Sequence, residues 1–309
     1  MYYNKRDLLE LCDLTKDEFE IIFKMTKELK KKPFQPILKN KTLGLIFSKS
    51  STRTRVSFEV GISQLGGNSL FLSHNEIQLG RGETVKDTAL VLARYLDGVI
   101  IRTYSHDDVI EFADVARIPV INGLTDLSHP CQVLTDLYTI VEKLGTYKSK
   151  KIVYFGDCNN NMANSWLIGS SILGCHFVIS GHKDYMPDKA VLSKAYEFAK
   201  KSNARIEIID DPFKAVKNAD VVYTDVWTSM GQEKESKIRT KKLQNWQINK
   251  ELLKEAKNAI FMHCLPAHRG EEVTEEVLEG KQSVVIDQAE NRLHVQKGIL
   301  KFIYTSKRK

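Results

Sequence analysis

At 309 residues the chain is long enough for two domains with a core each, and 42% hydrophobic against 28% charged residues is a globular composition. The longest apolar runs, such as "ALVLARYL", stop short of bilayer length, and the N-terminal stretch lacks the uninterrupted apolar core of a signal peptide, so no membrane partner and a cytoplasmic location are expected. A charge of +7 is modest, the lysine runs lack interleaved aromatics, and five scattered cysteines form no C-x-x-C pair; this argues against a nucleic-acid partner, a disulfide framework and a structural zinc site, and suits a small anionic substrate.

Short β-rich runs alternate with helical stretches along the whole chain. The first half predicts strands at 42–47, 69–73, 98–103 and 119–124, with helices over 56–65, 85–96 and 107–116 between them. The second half predicts strands at 151–157, 176–181, 205–210, 220–226, 259–265 and 283–288, then a terminal helix with apolar spacing at Leu293, Ile299, Leu300 and Ile303. Near-continuous apolar strands separated by amphipathic helices predict an α/β fold of two domains, each a parallel sheet flanked by helices. The expected seam is Val141–Lys151, where Gly145 ends a helix and a lysine-rich loop follows. The expected division is residues 1–140, with the helix 290–309 packing back on them, and residues 150–289.

Chemistry in open parallel sheets collects at the carboxyl ends of strands, and four polar clusters fall there. "SSTRT" (50–54, followed by Arg55) lies between a strand and a helix, where unpaired amides and the helix dipole favour an anion; a simple N-cap needs only one hydroxyl. "SHPCQ" puts Pro130 in a helix first turn, with His129 and Gln132 beside it, a pattern also compatible with a plain helix cap. "DVWTSMG" delivers Asp225 and then Ser229 and Met230, a carboxylate followed by amides that could receive a zwitterion or could form an Asx turn. "HCLPAHRGEE" places Cys264 at a strand end, where a small buried hydrophobe is the more economical reading than a nucleophile; His263 and His268 show no metal-ligand motif. "VYFGDCNNN" lacks the second and third glycines of a dinucleotide fingerprint, and there is no P-loop, so NAD and ATP chemistry would be without their usual cradles.

In this order, "SSTRTRVSFE", "HPCQ", "DVWTSMG" and "HCLPAHRGEE" resemble the aspartate/ornithine carbamoyltransferase family, and "GRGETVKDTALVLARYLDGVIIR" extends the resemblance to essentially the whole chain. The "SMG" loop and the last motif are similar to those of the ornithine branch. The resemblance implies carbamoyl transfer from carbamoyl phosphate to the δ-amine of L-ornithine in an interdomain cleft, giving citrulline and phosphate. No metal and no organic cofactor is implied, because carbamoyl phosphate carries its own leaving group.

Carried over by position, the resemblance assigns Ser51, Thr52, Arg53 and Thr54 to the phosphate, and Arg102 to both phosphate and carbamoyl oxygen. It assigns His129, Pro130, Cys131 and Gln132 to the carbamoyl group, with His129 polarising its carbonyl. Cys264 and Leu265 line the site of the amine and carbamoyl groups, the Leu265–Pro266 bond is cis, and Arg292 closes the carbamoyl phosphate end. Gln78 reaches into a neighbouring subunit, which implies a homotrimer or a multiple of trimers. Asn161, Asp225, Ser229 and Met230 hold ornithine, with Asn161 chosen over Asn160 by counting back from Ser165. Arg102, His129 and Cys264 carry the catalytic roles. Other amines, such as putrescine or an acylated ornithine, and a non-catalytic binding protein remain the alternatives; putrescine has no carboxylate for the Ser229–Met230 amides.

Overall fold

The computed structural model describes residues 5–73, 77, 82–228 and 233–306. The chain divides into two compact units, residues 1–135 with 291–309, and residues 136–290. It passes between them inside two helices, Pro130–Leu144 and Val285–Thr305.

The first unit holds a four-stranded sheet, β1 (Thr42–Phe47), β2 (Asn68–Ser73), β3 (Gly98–Arg102) and β4 (Val120–Leu124), in the order β2-β1-β3-β4. Every pairing is parallel, so each connection must cross back over the sheet, and the helices Thr52–Gln64, Val85–Leu92 and His106–Val115 serve that purpose. Leu45, Ile100 and Val120 are completely buried, as a sheet covered on both faces requires. The chain leaves β1 toward β2 on one side and returns at β3 on the other. The carboxyl ends of β1 and β3 therefore form the switch point of this sheet.

The second unit repeats the logic with β5 (Lys151–Phe155), β6 (His176–Ser180), β7 (Arg205–Ile208), β8 (Val221–Thr224) and β9 (Ile260–His263), all parallel, in the order β7-β6-β5-β8-β9. Its switch point lies between β5 and β8. Trp166, on the helix Asn161–Leu173, stacks on Phe177 at 5.8 Å between centroids and meets Tyr223 edge-on at 5.4 Å, tying that helix to β6 and β8.

Nine of the ten expected strands are present with ends shifted by at most a few residues. The tenth, 283–288, is not a strand. Ser283 makes a single bridge to Phe261, and the helix Val285–Thr305 begins two residues later. Its inward face includes the polar residues Gln288, Asn291, Arg292, Gln296 and Lys297, all at most 3% exposed, which hides the helical period from a reading based on apolar residues. The helix after β1 also starts earlier than expected, at Thr52, and is only half buried, with Val56 and Val60 exposed.

Replacing Trp166 with Ala should lower unfolding free energy by about 3–5 kcal/mol, measured by urea denaturation, because the side chain is fully buried against two aromatic rings.

Candidate functional site

In the first unit, Ser51 caps the Thr52–Gln64 helix. Its backbone is extended (φ −165°) and its Oγ accepts from the Thr54 N–H at 3.2 Å. One hydroxyl thus does the capping, while Thr52 stands exposed and Arg53 half-buried at the same helix end. Thr54 is 2% exposed, and its Oγ1 accepts from Arg292 Nη2 at 3.0 Å. Arg292 also donates from Nη1 to Gln132 Oε1. Three segments far apart in sequence, 51–54, 132 and 292, are therefore joined by one guanidinium.

Arg102 ends β3, in register with Phe47 of β1, and a register shift follows Ile101 so that Arg102 faces Leu124 on β4. The loops beyond the strand ends are laced together: Ser48 N–H donates to Arg102 O (2.8 Å), Thr103 N–H to Leu124 O (3.0 Å) and Asp126 N–H to Tyr104 O (3.0 Å). Thr125 and Ser128 close the turn before His129 through Thr125 N–H to Ser128 O (2.9 Å) and Ser128 N–H to Thr125 Oγ1 (3.2 Å). Lys49, only 6% exposed, pairs with Asp126 and lies 4.1 Å from the centre of the Tyr104 ring. It clasps the loops after β1, β3 and β4. Sequence reasoning missed Lys49, since an isolated lysine beside a turn normally reads as solvated.

His129 is 4% exposed, and its pKa lies well below 6.5, first through burial and then through the positive charges of Arg292 and Arg102. A neutral imidazole is thus held beside two guanidinium groups. Cys131 points into the core, its thiol is 3.5 Å from Asn122 O, and burial raises its pKa to about 12. Any ligand contact from Cys131 must come from its backbone.

In the second unit, the "GDCNNN" loop follows β5. Asn160 caps the Asn161–Leu173 helix by accepting from Ala163 N–H at 2.9 Å, donates to Asp157 O at 3.0 Å and contacts Tyr154 Oη. Asn161, the first helical residue, is half-buried. Asp157 is buried against Arg239 Nη1 at 2.9 Å, yet its pKa is raised to about 6 because burial outweighs the guanidinium.

Thr224 of β8 is in register with His263 of β9, so the next residues, Asp225 and Cys264, meet: Cys264 Sγ donates to Asp225 Oδ1 at 3.0 Å. The Leu265–Pro266 bond is cis. His263 lies close enough to Asp225 and Cys264 for the three to form a metal-ligand-like group. However, His263 Nδ1 accepts from Leu265 N–H at 2.9 Å, and Nε2 faces Glu272 Oε1 at 3.1 Å, so neither ring nitrogen is offered to an ion. Ser229, Met230 and Gln78 lie outside the described residues.

The structure is thus a pair of parallel α/β units, each gathering polar side chains at the switch point of its own sheet. The chain belongs to the aspartate/ornithine carbamoyltransferase family. Residues 6–142 match the family's carbamoyl-P binding domain and residues 148–303 its Asp/Orn binding domain. It is 55% identical over 304 residues to an ornithine carbamoyltransferase of Syntrophus aciditrophicus, covering 97% of this chain and 99% of the relative. It is 56% identical over 301 residues to one of Oceanobacillus iheyensis, covering 96% and 93%. Among solved structures, the ornithine carbamoyltransferase of Pyrococcus furiosus is 50% identical with a TM-score of 0.92, covering 97% of this chain and 96% of that one.

Burial of a neutral His129 makes stability pH-dependent. Its folded pKa lies below the unfolded value near 6.5, so between the two the unfolded chain binds a proton that the folded chain excludes. This contribution is complete above pH 6.5 and falls by up to about 1.4 kcal/mol per pH unit below it. A His129→Gln variant should therefore lose less stability than the parent between pH 6.5 and 5, measured by urea midpoints; parallel losses would contradict the neutral assignment.

Proposed function

We propose that the protein transfers the carbamoyl group of carbamoyl phosphate to the δ-amine of L-ornithine, producing L-citrulline and phosphate. The observation that carries this reading is the joining of Thr54, Gln132 and Arg292 at the N-terminal end of a helix, the kind of end that favours an anion, beside a buried neutral His129. High identity to ornithine carbamoyltransferases over nearly the full chain supports ornithine as acceptor.

In this reading residues 1–140 and the helix 290–309 bind carbamoyl phosphate, and residues 150–289 bind ornithine. Ser51, Thr52, Arg53 and Thr54 hold the phosphate. Arg102 bridges phosphate and carbonyl oxygen, and His129, the 130–132 turn and Arg292 hold the carbamoyl group. Asn161, Asp225, Ser229 and Met230 receive ornithine; the full engagement of Asn160 in capping supports Asn161 for this role. Cys264 and Leu265 position the amine and the carbamoyl group. Gln78 serves a neighbouring subunit's phosphate site in a homotrimer or a multiple of trimers, and the protein acts in the cytoplasm. No helix among the described residues is long and apolar enough to cross a membrane.

The neutral δ-amine attacks the carbamoyl carbon and forms a tetrahedral species. Collapse breaks the C–O bond, and the proton released by nitrogen departs on phosphate. Arg53 and Arg102 stabilise charge growing on the oxygens, and a neutral His129 donates a hydrogen bond to the carbonyl oxygen. Cys264 keeps its proton directed at Asp225 and orients the amine without bonding to carbon. Holding two small substrates at attack distance supplies much of the remaining acceleration.

Steady-state turnover with carbamoyl phosphate and a panel of amines tests the reading. Citrulline should form from L-ornithine; reaction of putrescine or an acylated ornithine in its place would overturn the specificity. Arg53→Ala should lower kcat/KM by at least about 10²-fold while the melting temperature stays at the parent value. Near-parent activity would remove the phosphate cradle from the account.

A further inference from the structure

A second layer of buried side chains stands behind the strand end that carries Cys264. β9 is the edge of its sheet. Part of that edge is covered by backbone: Phe261 N–H donates to Gln282 O at 2.7 Å, and Val284 N–H donates to Phe261 O at 3.0 Å. Two residues further on, where the Val285–Thr305 helix has begun, no strand among the described residues is available for His263. Its N–H instead donates to the side-chain Oε1 of Gln288 at 3.0 Å. The amide of Gln288 takes the place of a missing strand.

The orientation of that amide is not arbitrary. Gln288 Nε2 lies 2.7 Å from Asp136 Oδ1 and 3.4 Å from Tyr223 Oη. A carboxylate can only accept, so Asp136 dictates that nitrogen faces it and that oxygen faces the His263 N–H. Asp136 and Tyr223 are fully buried and Gln288 is 1% exposed, so water cannot substitute for either bond. The Tyr223 pKa is raised well above 10, by burial first and by the Asp136 charge next, so the hydroxyl keeps its proton.

His263 passes the constraint on. Its Nδ1 accepts from Leu265 N–H, which leaves the ring proton on Nε2 for Glu272 Oε1, and Glu272 Oε1 also accepts from His268 N–H at 2.6 Å. The turn 263–268 therefore has three backbone N–H groups held by side chains, beginning with the Gln288 bond. Cys264 sits between the first two, and Leu265 supplies the second.

We propose that Asp136 and Gln288 are positioning residues for the transfer reaction: the carboxylate orients the amide, the amide fixes the His263 backbone, and the Cys264 thiol and Leu265 carbonyl are thereby held for the substrates. This deepens the reading of Cys264 and Leu265 as substrate-lining groups and rests on it.

The test exploits the polarity of the pair. Gln288→Glu sets two carboxylates against each other and should lower kcat with ornithine by on the order of 10²-fold, since small misplacements at a reacting site have effects of that size. Adding Asp136→Asn places a donor against the introduced carboxylate, whose other oxygen can accept from His263; the double variant should recover to within about fivefold of the parent. Gln288→Met, which has similar length and no acceptor, should stay folded by melting curve and lose about tenfold or more in kcat. The inference is overturned if folded Gln288→Met turns over within about twofold of the parent, or if the double variant is as poor as Gln288→Glu. If Gln288→Glu does not fold, the Met variant alone decides. A parent protein that makes no citrulline would refute the underlying function instead.

Discussion

A phosphate dianion must exchange its water shell for fixed donors, and in the proposed reading the end of the Thr52–Gln64 helix supplies them. The first amides of a helix have no intrahelical partner and carry the positive end of its dipole. Ser51 closes the helix with one hydroxyl and leaves Thr52 and Arg53 at the same end. The parallel order β2-β1-β3-β4 places that helix end at the sheet's switch point, next to Arg102 at the tip of β3. The helix has to follow β1 for any of this to work, because only the carboxyl end of a parallel strand delivers a helix N-terminus to the crevice.

The positive charge gathered there has a second effect. Arg292 and Arg102 add to burial in keeping the proton off His129. An imidazolium would add one more cation and require desolvation of its own charge. In the proposed reaction a neutral ring keeps one N–H for the carbonyl while the guanidinium groups meet the phosphate. Arg292 also connects Thr54 with Gln132, so side chains from three distant segments meet through a single planar donor. In the second unit the same economy appears in the registered ends of β8 and β9, where consecutive positions bring Asp225 against Cys264 without any special loop.

Much of this architecture is legible in the sequence because fully covered parallel strands must be apolar at nearly every position, as "TLGLIF" and "KIVYF" are. Site motifs are legible because their residue types cluster just after such runs. Three features are not. Residues 283–288 look like another strand because their apolar run is short and the buried face of the following helix is mostly polar from Gln288 to Lys297. Lys49 looks like a surface lysine, since nothing local announces Asp126 and Tyr104, which lie 77 and 55 positions later and meet it only after β3 and β4 have paired. Asp136 and Gln288 are separated by 152 positions, and their pairing depends on two helices that single-sequence periodicity cannot dock. Local chemistry is visible in sequence; the buried polar bonds that hold it in place are tertiary.

The central claim is attack by nitrogen at carbon with phosphate as the leaving group, and isotope position reads it directly. Carbamoyl phosphate labelled with ¹⁸O in the C–O–P bridge is turned over with L-ornithine, and both products are weighed by mass spectrometry. The account predicts unlabelled citrulline and labelled phosphate in equal amounts. Label retained on carbon, or phosphate released without citrulline, would contradict it.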